Sequence, residues 1–450
     1  MSKKAKTKTQ GNFQLAVINS NTAAIDVGSM LMTVAYTGKD NQQYLMETDG
    51  FTESLEELVV TLKEAGITHV AMEATGVYWM ALYELMEKEG LKVTLVNPKH
   101  FKNVDAQKTD VKDSQWLQQL HAHGLLRSSH IAPELYRELR SYVHERNNYQ
   151  AQKSDTLNRI HKVLSQMNIK VQHIISDIEG VSGMKLLRGI AEGITDPEEL
   201  LSLVTTKLKA SREELLKSLK GVYKNQYVVI LKSHLKAYDF LKRQMKEYEL
   251  FIEGVLKQML PPVQENKSVK ILPKTSHVRK NQYSINLSAY LREITGVDLT
   301  KIDGFDEISV LEILSVTGID MSKWKTADHF TSWLNLSPRP KITGGKVVGF
   351  DKRITKNSAS QALRNAAQSL WNSKCSLGKL YRRIAAQKGS AKAIKAVARK
   401  LAVILYNMLK NKSEFDPLKV QPDTEREQKR KLSYLAKEAA KHGYLLQKAA

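Results

Sequence analysis

Two stretches of this chain, TAAIDVGS at 22–29 and THVAMEATG at 68–76, share one grammar: small and apolar residues, then an acid, then a glycine. Each reads as a buried strand that carries a carboxylate near its end and stops in a glycine turn. Strand and helix signals alternate around them from about residue 12 to 130, the pattern of an α/β domain. LMTVAYTG follows Gly28 and reads as the second arm of a hairpin. SLEELVVTLKEAG is an amphipathic helix closed by Gly66, and VYWMALYELMEKEG a helix ending at Gly90. KVTLVNP is a third buried strand, stopped by Pro98.

The acids of the two repeated stretches are Asp26 and Glu73. Asp110 and Asp113 lie three apart in KTDVKDSQWLQQL, so on a helix they share one face. A divalent cation such as Mg²⁺ or Mn²⁺ takes hard oxygen ligands from one or two carboxylates plus substrate phosphate oxygens. Two such ions clamp both oxygens of an in-line phosphoryl displacement. A single acid after a strand is commonly a turn former or helix cap. Two strand-end acids followed by a D-x-x-D helix point instead to a metal site made of Asp26, Glu73, Asp110 and Asp113.

The chain holding these acids is otherwise strongly basic, with 69 Lys+Arg against 47 Asp+Glu and a formal net charge of +22. That balance favours DNA or RNA as a partner, because each neutralised phosphate releases counterions. The acids therefore read as phosphodiester chemistry. No stretch reaches the roughly eighteen apolar residues of a membrane span. The start, MSKKAKTKTQGNFQ, lacks the apolar core of a secretory signal and reads as a disordered basic arm over 1–13. A single cysteine, Cys375, excludes an internal disulfide and a cysteine-based zinc site, and suits a reduced intracellular setting.

From about 133 to 260 the pattern turns to long helices. Leu157, Ile160, Leu164, Met167, Val171 and Ile174 step by three and four, as do Tyr238, Leu241, Met245, Tyr248, Ile252 and Val255. Facing seams of this kind predict an antiparallel coiled-coil arm, or a dimerising one. Residues 261–290 hold Pro261, Pro262 and Pro273 and a basic run, as a linker or loop would. A helical domain is expected over 291–415, closing on Ile394, Val397, Leu401, Ile404 and Met408, with a basic tail helix over 416–450.

Within that domain a Gly344–Gly345 turn is set among Arg339, Lys341, Lys346, Lys352 and Arg353. Exposed amides and positive charge there suit a phosphate, with the Thr343 hydroxyl against the turn. A plain surface hairpin with solvated lysines accounts for the local sequence equally well.

With the four acids in front, and IDGFDEIS and PRPKITGGK behind, nearly the whole chain resembles the DEDD-type transposases of bacterial insertion sequences, relatives of the Piv and MooV DNA invertases. The resemblance implies a RuvC-like N-terminal domain of RNase H fold over 14–132, with a divalent metal on Asp26, Glu73, Asp110 and Asp113. The coiled-coil arm over 133–260 and a mostly helical C-terminal transposase domain would follow. It implies a recombinase that cuts and rejoins DNA, guided by a noncoding bridge RNA. It implies a homo-oligomer, dimer or tetramer, with composite active sites, in the bacterial cytoplasm beside the nucleoid.

The resemblance also implies a hydroxyl just before the glycine turn that joins DNA covalently. Where the family reads I-S-G-G-K, this chain reads Ile342, Thr343, Gly344, Gly345, Lys346. A threonine hydroxyl can be a nucleophile, although its methyl group restricts χ1. Thr343 is the expected nucleophile, with Ser337 and Ser358 as neighbouring alternatives. Two rival readings are a hydrolytic RuvC-like junction nuclease and a noncatalytic nucleic-acid-binding protein descended from a decayed transposase. The DxGS of residues 26–29 would also open an actin-like ATPase, but no second glycine-rich phosphate turn follows it at a suitable distance.

Overall fold

The hairpin expected around Gly28 forms between β1 (Thr22–Val27) and β2 (Leu31–Thr37), and β3 (Gln43–Asp49) extends it antiparallel at the outer edge. A Cβ at Gly28 would run into the Leu31 carbonyl, so only glycine allows this turn to close. On the other side of β1, β4 (His69–Glu73) and β5 (Lys92–Val96) pair in parallel, giving the order β3-β2-β1-β4-β5. Helices α1 (Thr52–Glu64) and α2 (Trp79–Lys88) cover one face, where Ile25 and Met72 meet Leu58, Leu62, Leu82 and Met86. Helix α3 (Asp110–Ala122) covers the other through Leu117 on Ala24, Ala71 and Val96. Side chains alternate between the two faces of a strand. Coverage on both faces is therefore why β1 and β4 read as unbroken apolar runs.

The computed structural model describes residues 16–97, 110–205, 208–262, 271–272, 280–350, 357–420 and 424–445. The chain divides into two compact units, Met1–Ile131, which holds the sheet, and Ala132–Ala450. The expected basic arm at 1–13, half of the linker over 261–290, and both Lys352 and Arg353 fall outside the described residues, as does the side chain of Asp110. No described helix is long and apolar enough to cross a membrane.

The second unit begins with α4 (Glu134–Gln166), then four short helices, α5 (Val171–Ile174), α6 (Val181–Ala191), α7 (Pro197–Ser202) and α8 (Arg212–Leu219), then α9 (Asn225–Gln258). α4 and α9 run antiparallel. Leu139 and Val143 share a core with Ile252, Val255 and Leu256, while Ile160 and Leu164 share another with Leu231 and Leu235. The seam from Leu157 does not continue along one helix to Ile174. Asn168 takes a left-handed conformation (φ 56) that ends α4, and Met167 and Val171 pack into the cap made by α5–α8.

A polar layer separates the two cores. Arg146 donates to Glu249 Oε1 from Nε at 3.2 Å and Nη2 at 2.9 Å, and Ser284 donates to Glu249 Oε2 from N at 2.9 Å and Oγ at 2.6 Å. Lys153 Nζ lies 3.3 Å from Glu179 Oε1, and Lys280 also pairs with Glu179.

Beyond the arm come α10 (Leu287–Thr295), α11 (Glu307–Thr317) and α12 (Ala327–Trp333), then a two-stranded ribbon of β6 (Pro340–Thr343) and β7 (Lys346–Phe350). Helices α13 (Ser358–Ser369), α14 (Ser376–Lys388), α15 (Ser390–Asn411) and α16 (Thr424–Lys441) complete the unit. Leu314, Phe330, Leu363 and Leu401 join Leu139 and Ile252 in one core, so the base of the arm and these helices are continuous.

Candidate active site

Strands β1 and β4 pair in parallel with Ile25 opposite Met72. One step further along are Asp26 and Glu73, so the two acids stand at neighbouring strand positions. Alternation places both on the face of Ala24 and Ala71, the face that α3 covers. Glu73 is buried, 3% exposed, and its Oε1 accepts a hydrogen bond from the Thr75 hydroxyl at 2.9 Å. Asp26 is half-buried and lies opposite Thr33 of β2.

Asp110 opens α3, and half-buried Asp113 follows one turn on, four residues before the buried Leu117. The structure thus brings Asp26 and Glu73 together and lays the helix of Asp110 and Asp113 across the same face. Among the described residues, no group of three or more His, Cys, Asp or Glu forms a metal-holding cluster. The donor chemistry nevertheless fits a hard cation. Two carboxylates on adjacent strands repel when both are ionised, and a cation beside them relieves that repulsion.

Contacts that no sequence motif signals hold α3 in place. Gln118 is buried against the strands, and Asn19 Nδ2 donates to the His121 carbonyl at 2.8 Å. A polar residue in a helix ordinarily faces solvent, so the sequence carried no mark of Gln118. His121 is also buried. Its imidazole is pushed down to about 4, first by burial and then by the neighbouring His69, whose ring centroid is 6.5 Å away.

In the other unit, Thr343 pairs with Lys346 across Gly344 (φ 54) and Gly345 (φ 76). Positive φ at both central residues is what a two-residue type I′ turn requires, and it explains the Gly-Gly pair. Thr343, Arg339, Lys341 and Lys346 are all exposed. So are Ile342, Val347, Val348 and Phe350, each by more than half, leaving the ribbon's apolar side chains uncovered. Of the alternative hydroxyls, Ser337 lies 2.9 Å from the Thr331 hydroxyl, and Ser358 opens α13.

A family sequence model for the DEDD transposase domain of IS110, described as "Transposase", matches residues 23–169, which include Asp26, Glu73, Asp110 and Asp113. A second, described as "Transposase IS116/IS110/IS902 family", matches residues 298–382, which include Thr343 and its glycine turn. No curated protein matches the chain. The two matches together span just over half of the 450 residues, and the chain belongs to the DEDD-type transposases of the IS110 family.

Proposed function

We propose that this transposase cuts and rejoins DNA under the guidance of a noncoding RNA, with Asp26, Glu73, Asp110 and Asp113 holding Mg²⁺ or Mn²⁺ and Thr343 as the nucleophile. The observation that carries the reading is the pairing of Asp26 and Glu73 on neighbouring parallel strands beneath the helix of Asp110 and Asp113. A sheet with three antiparallel strands, two parallel additions and helices on both faces supports a RuvC-like fold. Bound metal would supply Lewis-acid stabilisation of charge on the scissile phosphate.

The protein's own part is positional. Rigid strands hold Asp26 and Glu73, and the Thr75 hydroxyl holds one oxygen of Glu73 in place. Thr343 Oγ1 would bond to phosphorus as the bond from phosphorus to one DNA oxygen breaks. That oxygen takes up a proton, and the threonine gives one up. The product is a phosphothreonyl ester, which a second DNA hydroxyl reverses. Arg339, Lys341, Lys346, Lys352 and Arg353 would attract the phosphate. The antiparallel pairing of α4 and α9 supports the coiled-coil reading, and a homodimer or tetramer is the expected assembly.

The test is a denaturing gel of labelled substrate DNA after reaction with the protein and its RNA. Glu73→Gln should abolish cleavage while nucleic-acid binding persists. Thr343→Ser should keep the protein–DNA adduct, and Thr343→Val, similar in shape without the oxygen, should end it. Free cleaved ends with no adduct would establish the hydrolytic alternative. Binding unchanged in the acid variants, with no cleavage by the wild type, would establish the noncatalytic one.

A further inference from the structure

Helix α3 brings two of the four acids and lies on a face of mostly small side chains. Beneath it on that face lie the buried residues Ala24, Ala35, Ala71 and Val96 with Thr22, Thr33 and Glu73, and Leu117 of α3 packs on Ala24, Ala71 and Val96. Small side chains let a helix approach closely but offer only low ridges to set its rotation and axial position. The C-terminal end of α3 is held through backbone, where Ile18 N and Asn19 N both donate to the Ala122 carbonyl at 2.9 Å. Rotation of the helix is left to side chains.

Gln118, 5% exposed, donates from Nε2 to Thr37 Oγ1 at 2.8 Å and to Thr22 Oγ1 at 3.2 Å. Its Oε1 accepts from Gln43 Nε2 at 3.4 Å. A single residue of α3 is therefore tied to β1, β2 and β3 at once, and both ends of its amide are used. Gln115 Nε2 adds a contact to Gln43 Oε1 at 3.3 Å.

We propose that Gln118 is a positioning residue for the metal site: by setting the register of α3 over the sheet, it sets where Asp110 and Asp113 stand relative to Asp26 and Glu73. It touches neither substrate nor metal. A slip of one residue along a helix moves its side chains by about 1.5 Å and turns them by about 100°. A misplacement of about 1 Å can cost on the order of 100-fold in rate. Three hydrogen bonds to three strands oppose both movements. The inference rests on the assignment of the four acids as metal ligands.

The experiment measures Mn²⁺ binding to the full chain by electron paramagnetic resonance, with thermal melting in EDTA recorded in parallel. The variants are Gln118→Met, which keeps length without donors, Thr37→Val, which removes the acceptor from the strand side, their double mutant, and Asp113→Ala. Gln118→Met should melt close to wild type in EDTA, yet bind Mn²⁺ about 10- to 100-fold more weakly, the size of effect seen when a ligand's supporting contacts are lost. Thr37→Val should weaken binding in the same direction. The double mutant should be no worse than Gln118→Met, because Gln118→Met has already removed the contact to Thr37. Wild-type Mn²⁺ affinity in Gln118→Met, with loss in Asp113→Ala, would overturn the proposal and leave the metal assignment standing. If Gln118→Met does not fold, wild-type affinity in Thr37→Val overturns it instead. Wild-type affinity in Asp113→Ala would remove the metal assignment and the proposal together.

Discussion

His121 is buried at the C-terminal end of α3, and among the described residues its Nε2 makes no hydrogen bond. Burial, followed by the charge of His69, holds its proton affinity down, to about 4 against an ordinary 6.5. Between those two values the unfolded chain binds the proton and the folded chain does not. Stability is therefore lost as pH falls through that window and levels off below it. Between pH 7 and pH 5, wild type should lose about 2 kcal/mol more than His121→Leu, which has nothing to protonate. Urea unfolding at the two pH values measures the difference, and equal losses would show that His121 does not titrate in this way. At this scale the sequence was unevenly legible. The strand-end positions of Asp26 and Glu73 announced themselves because apolar neighbours frame them. Gln118 and His121 did not, because what makes them matter is contact with residues tens of positions away.

At the scale of elements, a polar layer lies between the two cores of the arm, where α4 and α9 meet. Arg146 and Glu249 are both almost wholly buried and share two hydrogen bonds, with the Arg146 guanidinium 4.1 Å from the centre of the Tyr283 ring. Arg146→Ala would strand the Glu249 charge with only the Ser284 donors, and should cost about 3–5 kcal/mol. Replacing both partners, Arg146→Met with Glu249→Leu, should recover most of that loss. Chemical denaturation of the two variants checks the pair, and a double variant as unstable as the single one would refute it. The helical seams were readable because Leu, Ile and Val repeat at three and four. The ion pair was not, since Arg and Glu in such a repeat look like solvent-facing charge. Strand β3 escaped notice for a related reason. It is an edge strand, mostly exposed, whose residues QYLMETD show no apolar face. Its stability comes from the partner strand, as in the stacking of Tyr44 on Tyr36 at 5.3 Å.

For the molecule as a whole, the excess of 22 positive charges is the property that sets its dealings with nucleic acid. The chain should purify with RNA bound. Its affinity for that RNA should fall about 1000-fold or more between 50 and 200 mM salt, as contact with many phosphates requires. Filter binding across a salt series would show this, and an affinity flat in salt would contradict it. Nuclease-treated protein should also lose recombination unless RNA is restored. The family was legible in the sequence because its marks are local: strand-end acids, the D-x-x-D pair and a glycine turn between lysines. The continuity between the arm's base and the C-terminal helices was not, because Leu139 and Leu401 lie far apart in the chain and meet only in the folded core.

The β6–β7 ribbon has one further consequence for the life of the protein in solution. Two strands alone are marginal in water, and these carry Ile342, Val347, Val348 and Phe350 in the open, beside outer edges that pair with no other strand among the described residues. Such an edge is a template for aggregation, and lysines along it are a common guard against that fate. Lys341 and Lys346 stand where that guard is needed. On the proposed function the same two charges attract phosphate. A bound polyanion would cancel the repulsion that keeps copies of the ribbon apart, so the protein is best defended from sticking to itself while its hands are empty.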